Sequence, residues 1–142
     1  MDNELKREII LENFQHPVNK EKVDDTNYQK VNHHNPNCID NLDFYILVED
    51  NIIKDIKFMG EACAISTSSS SIMIKNLIGK SIKDAKYYVD NFYNMCNEQE
   101  YNRDILNEGI AFDNIYMQEN RKSCALLPYN AIMKALNNYE EK

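Results

Sequence analysis

Two runs rich in β-branched and aromatic residues, 42–49 and 52–58, flank the dipeptide Asp50-Asn51. Asp and Asn tolerate left-handed backbone, so the pair reads as a two-residue turn and the runs as the strands of a hairpin. Antiparallel pairing about that turn places residue 41 beside residues 59 and 60. The loop that enters the first strand and the turn that leaves the second therefore emerge side by side, and each carries a cysteine, Cys38 and Cys63.

Gly60 stops the second run, and Cys63 follows at once, ahead of Ile65 and the serine-rich run Ser66 to Ser71. A thiol at a strand-to-helix turn sits beside unpaired amides, where the helix dipole favours thiolate. The other reading of Cys63 is a small buried apolar residue. Small serines would let the helix approach the sheet closely, with Ile65, Ile72, Ile74, Leu77 and Ile78 buried and Gly79 as its stop. Ser81 then caps a helix through Cys96 whose apolar face holds Ile82, Ala85, Tyr88, Val89, Phe92 and Met95. Cys96 reads as packing, and the tyrosines Tyr87, Tyr88, Tyr93 and Tyr101 as core and rim.

Upstream, residues 3–16 have amphipathic helical spacing, with Asp2 or Asn3 as cap, His16 at the end and Pro17 beyond it. A polar loop, a short strand at 28–31 and a turn-rich segment at 33–41 follow. That segment displays a thiol, Cys38, and a carboxylate, Asp40, two positions apart. His33 and His34 are candidate ligands beside Cys38 that read more simply as solvated, and Asp43 is an alternative to Asp40 that begins a strand. Downstream, the spacing predicts a short helix at 101–107, a loop with buried anchors at 109–116, and a helix from 125 onward. Cys124 then stands just ahead of that helix, as Cys63 does of its own, with Pro128 in the first turn.

Composition narrows the function classes. A chain of 142 residues with 43% hydrophobic content makes one domain without disulfide support. A net charge of -7 argues against a nucleic-acid partner, which needs a basic face. Apolar runs fall short of the roughly 18 residues a membrane span requires. The charged N-terminus does not resemble a signal peptide, so the expected location is cytoplasmic. Four cysteines in a reducing compartment read as ligands or reactive thiols, and without a CxxC pair any metal site must be assembled from distant segments.

Three segments carry a family resemblance: Asn-Pro-x-Cys-x-Asp at 35–40, Phe-x-Gly-x-x-Cys-Ala-Ile-Ser at 58–66, and Arg-x-x-Cys-Ala at 121–125. Together they resemble the ligand segments of the U-type iron-sulfur cluster assembly proteins, which comprise IscU, the N-terminal domain of NifU, and SufU. The long interval from Cys63 to Cys124, and Ser123 where IscU-type proteins have histidine, point to the SufU branch and to its insertion around 97–120. Ile39 and Ser123 depart from the glycine and lysine usual there, and a left-handed backbone at Ile39 would be costly.

The resemblance implies an α+β fold: a single domain over 1–142 with a small antiparallel three-stranded sheet packed against helices. It implies zinc held by Cys38, Asp40, Cys63 and Cys124, with Arg121 offsetting the site's negative charge. Three thiolates and a carboxylate are a plausible tetrahedral set for zinc, and a poor one for hydrolysis. The implied activity is sulfur transfer, with Cys38 accepting persulfide sulfur from a SufS-type cysteine desulfurase and zinc holding Cys38 until the partner docks. The alternative is a scaffold that assembles a [2Fe-2S] cluster and passes it to apo iron-sulfur proteins. A structural zinc adaptor is a third class.

Overall fold

A computed structural model of the chain describes residues 1–36 and 38–139; Asn37 and the last three residues of the expected domain lie outside them. The elements run α1 (Asn3–Gln15), β1 (Gln29–His34), β2 (Asn41–Glu49), β3 (Ile52–Glu61), α2 (Ala64–Leu77), α3 (Ile82–Cys96) and α4 (Glu119–Leu136). The three strands form one antiparallel sheet in the order β1-β2-β3. Helix α4 packs on β1 and β2, and α2 is held between α1 and α4. This is the expected α+β architecture. No helix among the described residues is long and apolar enough to cross a membrane.

Asp50 and Asn51 both take positive φ, 54° and 62°, as a two-residue turn with right-twisting strands requires. The register departs from simple pairing in one place. Leu47 pairs with Asp55 but Val48 pairs with Ile53, so Lys54 is an extra residue in β3. That bulge is why Ile53 and Ile56, three positions apart, are both fully buried with Leu42, Phe44 and Ile46. It also moves the open end by one residue: Asn41 faces Glu61, and Leu42 faces Gly60. Strand β3 runs through Gly60 instead of stopping there.

Strand β1 reaches His33 and His34, beyond the expected end at 31, because both pair with β2 opposite Leu42 and Asn41. Cross-strand partners decide this, and local β-propensity does not report them. The expected helix at 101–107 and loop at 109–116 form short 3-10 turns instead, at Arg103–Ile105, Asn107–Phe112 and Ile115–Met117. They are anchored by buried Leu106, Ile110, Phe112 and Ile115. Phe112 meets Phe92 edge-on, and Phe92 stacks on Tyr129 at 4.0 Å between ring centroids.

The serine-rich run is the interior of α2, and its five serines and Thr67 are all buried. Burying hydroxyls is costly unless each finds a partner. Ser68 and Ser70 donate to the carbonyls of Ala64 and Ser66 one turn back, each at 2.8 Å. Ser69 donates to the Ala125 carbonyl of α4 at 2.6 Å, and Ser71 to Asn13 Oδ1 of α1 at 2.8 Å. The run thus ties three helices together through polar groups.

Helix α4 corrects one expectation. It begins at Glu119, so Cys124 lies inside the helix and Pro128 well beyond the first turn. An internal proline usually costs about 3 kcal/mol, largely through the lost N–H bond to the carbonyl four residues back. Here that carbonyl belongs to Cys124, and the Ser66 hydroxyl lies 3.0 Å from it. Ala125, Leu127, Tyr129, Ala131 and Ile132 are buried around this turn, so tertiary packing holds the helix across the proline.

Candidate metal centre

Asp40 precedes β2 and is fully buried. One carboxylate oxygen accepts the Cys63 backbone N–H at 2.7 Å, and the other lies 2.5 Å from the Ser66 hydroxyl. Its loop is closed by two backbone bonds, Asn35 N–H to the Asp40 carbonyl at 3.0 Å and Cys38 N–H to the Asn35 carbonyl at 3.1 Å. Cys63 is the N-cap of α2, and its sulfur accepts the Ser66 N–H at 3.4 Å. Cys124 is presented from α4, buried, with the Asn35 side-chain amide donating to its sulfur at 3.6 Å. Cys38 is half-buried on the loop.

These four residues present one sulfur or oxygen each, all within 4.8 Å of one another. A tetrahedral zinc with Zn–S near 2.3 Å sets its sulfurs about 3.8 Å apart, so the donors need only a small contraction to enclose an ion. The Cys63 sulfur and the nearer Asp40 oxygen are already 3.8 Å apart. By number, type and spacing the residues fit a structural-type zinc site, and the same thiolates fit iron.

Protonation follows from the surroundings. Burial pushes the Asp40 carboxyl upward, but hydrogen bonds from Ser66, the Cys63 amide, Cys124 and Cys38 outweigh it and hold the group below its ordinary value. Burial, then the neighbouring Asp40 and Cys63, push the Cys124 thiol well up. Without an ion, Cys124 therefore keeps its proton beside an ionised Asp40. A divalent cation would displace such protons. Cys96, buried in α3 and outside the cluster, is pushed up to about 12 by burial.

The other sequence candidates are outside the four-donor cluster, although His34 and Asp43 line one cavity with Cys38. His33 and His34 line a cavity of about 300 Å³ with Asn35, Pro36 and Ser123. Burial, Lys134 and His34 lower the His33 pKa. His16 ends α1, its N–H bonded to the Glu12 carbonyl. Asp43 pairs with Lys30 at 3.8 Å and accepts from Asn32. Arg121 is exposed near the start of α4, lining a pocket of about 470 Å³ with Lys6, Arg7 and Ile65. Ile39 is 65% exposed and is not among the residues with positive φ, so the loop closes without the left-handed backbone a glycine would permit. Sequence reasoning missed Ser66 and the Asn35 amide as neighbours of the ligands.

The pattern described as NifU-like N terminal domain matches residues 5–142. The chain belongs to that family. One NifU-like relative, the zinc-dependent sulfurtransferase SufU of Bacillus subtilis (strain 168), is 31% identical over 133 residues, covering 93% of this chain and 89% of its own. Another, the iron-sulfur cluster assembly scaffold protein IscU of Streptococcus pyogenes serotype M1, is 30% identical over 135 residues, covering 94% and 84%. Among solved structures, a protein assigned as a cluster assembly scaffold for the SUF system of Fervidobacterium islandicum AW-1 superposes with a TM-score of 0.86. It is 29% identical, and the match covers 91% of this chain and 94% of that one.

Proposed function

We propose that this chain is a zinc-dependent sulfur acceptor of iron-sulfur cluster assembly, with Cys38, Asp40, Cys63 and Cys124 as zinc ligands and a SufS-type cysteine desulfurase as partner, acting in the cytoplasm. The observation that carries the reading is the convergence of these four donors within 4.8 Å, with Cys38 half-buried on a loop. When bound, zinc keeps thiols deprotonated and shields them from oxidation.

The chain's own residues then divide the work. Cys63 is fixed in the cap of α2, Cys124 in the body of α4, and Asp40 by bonds to both carboxylate oxygens. Cys38 is left as the donor a partner can reach. Its thiolate attacks the terminal sulfur of the partner's persulfide; a new S–S bond forms on Cys38, the partner's S–S bond breaks, and the partner's cysteine leaves as thiolate. Arg121 and Arg7 line one pocket with Ile65, two positions beyond Cys63, and supply positive charge there. The segment 97–120 is read as the SufU-type insertion.

A Cys38→Ser variant is expected to fold and to lose stimulation of the cognate desulfurase, measured as alanine release from cysteine; full stimulation by the variant would refute Cys38 as acceptor. The scaffold reading is favoured by the IscU relatives and by the suitability of three thiolates for iron. It predicts a visible absorption band after anaerobic addition of iron and sulfide, transferable to an apo iron-sulfur protein.

A further inference from the structure

We propose that Ser66 is a positioning residue of the metal centre, its hydroxyl fixing the orientation of the Asp40 carboxylate and joining it to the helix that carries Cys124. The inference rests on the metal-centre reading above. Ser66 is fully buried. Its Oγ lies 2.5 Å from an Asp40 oxygen, 3.0 Å from the Cys124 carbonyl and 3.6 Å from the Cys63 sulfur. One hydroxyl thus touches three of the four ligand residues, and the Ser66 N–H bonds the Cys63 sulfur as well.

Each contact has a structural origin. The Cys124 carbonyl is open to a side chain because Pro128, four residues on, has no N–H to offer it. The one Ser66 hydroxyl proton is directed mainly to Asp40 at 2.5 Å, with the Cys124 carbonyl its longer partner at 3.0 Å, so with the Cys63 amide on the other oxygen the carboxylate cannot rotate without breaking a buried hydrogen bond. A carboxylate is ordinarily the weakest ligand of such a set. Here it is held at both oxygens by hydrogen bonds from the protein.

Ser69 supplies the control. It lies one turn further along α2, is equally buried, and donates to the next α4 carbonyl, that of Ala125, at 2.6 Å. Its hydroxyl thus ties the same two helices without touching a ligand. Partners that orient metal ligands typically contribute 10–100-fold to metal affinity. Ser66→Ala is therefore expected to weaken zinc binding by about 10–100-fold and to change the ligand-field spectrum of the cobalt(II) form. Ser69→Ala is expected to lose comparable stability without metal while binding zinc like the wild type.

Zinc affinity is read by competition with a chromophoric chelator in wild type, Ser66→Ala, Ser69→Ala, Asp40→Ala and the Asp40→Ala/Ser66→Ala double variant. If Ser66 acts through Asp40, removing it in the Asp40→Ala background has little further effect on affinity. Equal affinities for Ser66→Ala and Ser69→Ala, or additive losses in the double variant, would overturn the proposal. A wild type that binds zinc no better than Cys63→Ala would instead remove the metal-centre reading on which it rests. Alanine is the better helix former at both positions, which favours folding of the variants.

Discussion

A Gly60→Ala variant loses metal affinity and stability together, although residue 60 offers no ligand. The backbone at Gly60 has φ 132°, and an added Cβ would stand 2.2 Å from the Asn41 carbonyl oxygen and 3.2 Å from the Leu42 Cα. No rotamer relieves an overlap between Cβ and backbone. Strained backbone costs roughly 1–3 kcal/mol, and overpacking roughly 1–3 kcal/mol more. The cheapest relief is to part β2 from β3 at their open end, where Asn41 faces Glu61. Asp40 and Cys63 are attached to those two strands, so the 2.7 Å bond from the Cys63 amide to Asp40 is the first to go. Gly79 separates strain from clash: its φ is 92°, but an added Cβ meets nothing within 4 Å. Gly79→Ala is expected to lower the urea midpoint while leaving zinc affinity intact, whereas Gly60→Ala lowers both. Unchanged zinc affinity in Gly60→Ala would show that the hairpin's open end does not set the ligand geometry.

Loading with zinc is expected to raise the melting temperature by on the order of 10 °C. A ligand at about 1,000 times its dissociation constant stabilises the folded state by about 4 kcal/mol, and a domain of this size gains a few degrees per kcal/mol. The sign of the pH dependence follows from the cluster. Cys124 holds its proton more tightly than an ordinary thiol because it is buried beside Asp40 and Cys63. Protons therefore compete with the metal, and affinity falls as pH is lowered, by up to roughly tenfold per unit for each thiol that must ionise. Differential scanning fluorimetry with and without zinc at several pH values reads both effects. A melting temperature that ignores zinc, or a stabilisation that grows on acidification, would contradict the assignment of thiolates as ligands.

What was legible in the sequence was what local chemistry determines. Asp50-Asn51 announces its own turn, Cys63 and Ser81 their caps, and Gly79 its helix stop, since each acts on backbone within a few residues. The convergence of Cys38 and Cys63 followed from the hairpin alone. The bulge at Leu47 and Val48, the extension of β1 through His33 and His34, and the early start of α4 depend on partners far along the chain. Helix α4 was misread because Pro128 looked like a first-turn residue. The hydroxyl that approaches the carbonyl it leaves open, that of Ser66, stands 58 positions away along the chain. Ser66 itself is one of five serines in the run. Only tertiary contact distinguishes it from Ser69, which has the same side chain, burial and helix.

The central claim is that segments around residues 38–40, 63 and 124 meet on one ion through three sulfurs and one carboxylate oxygen. X-ray absorption at the zinc edge of the loaded protein tests it directly. The account predicts one zinc per chain with three sulfur neighbours at about 2.3 Å and one oxygen at about 2.0–2.2 Å. A shell of nitrogen and oxygen alone, or one with fewer than three sulfurs, would contradict it.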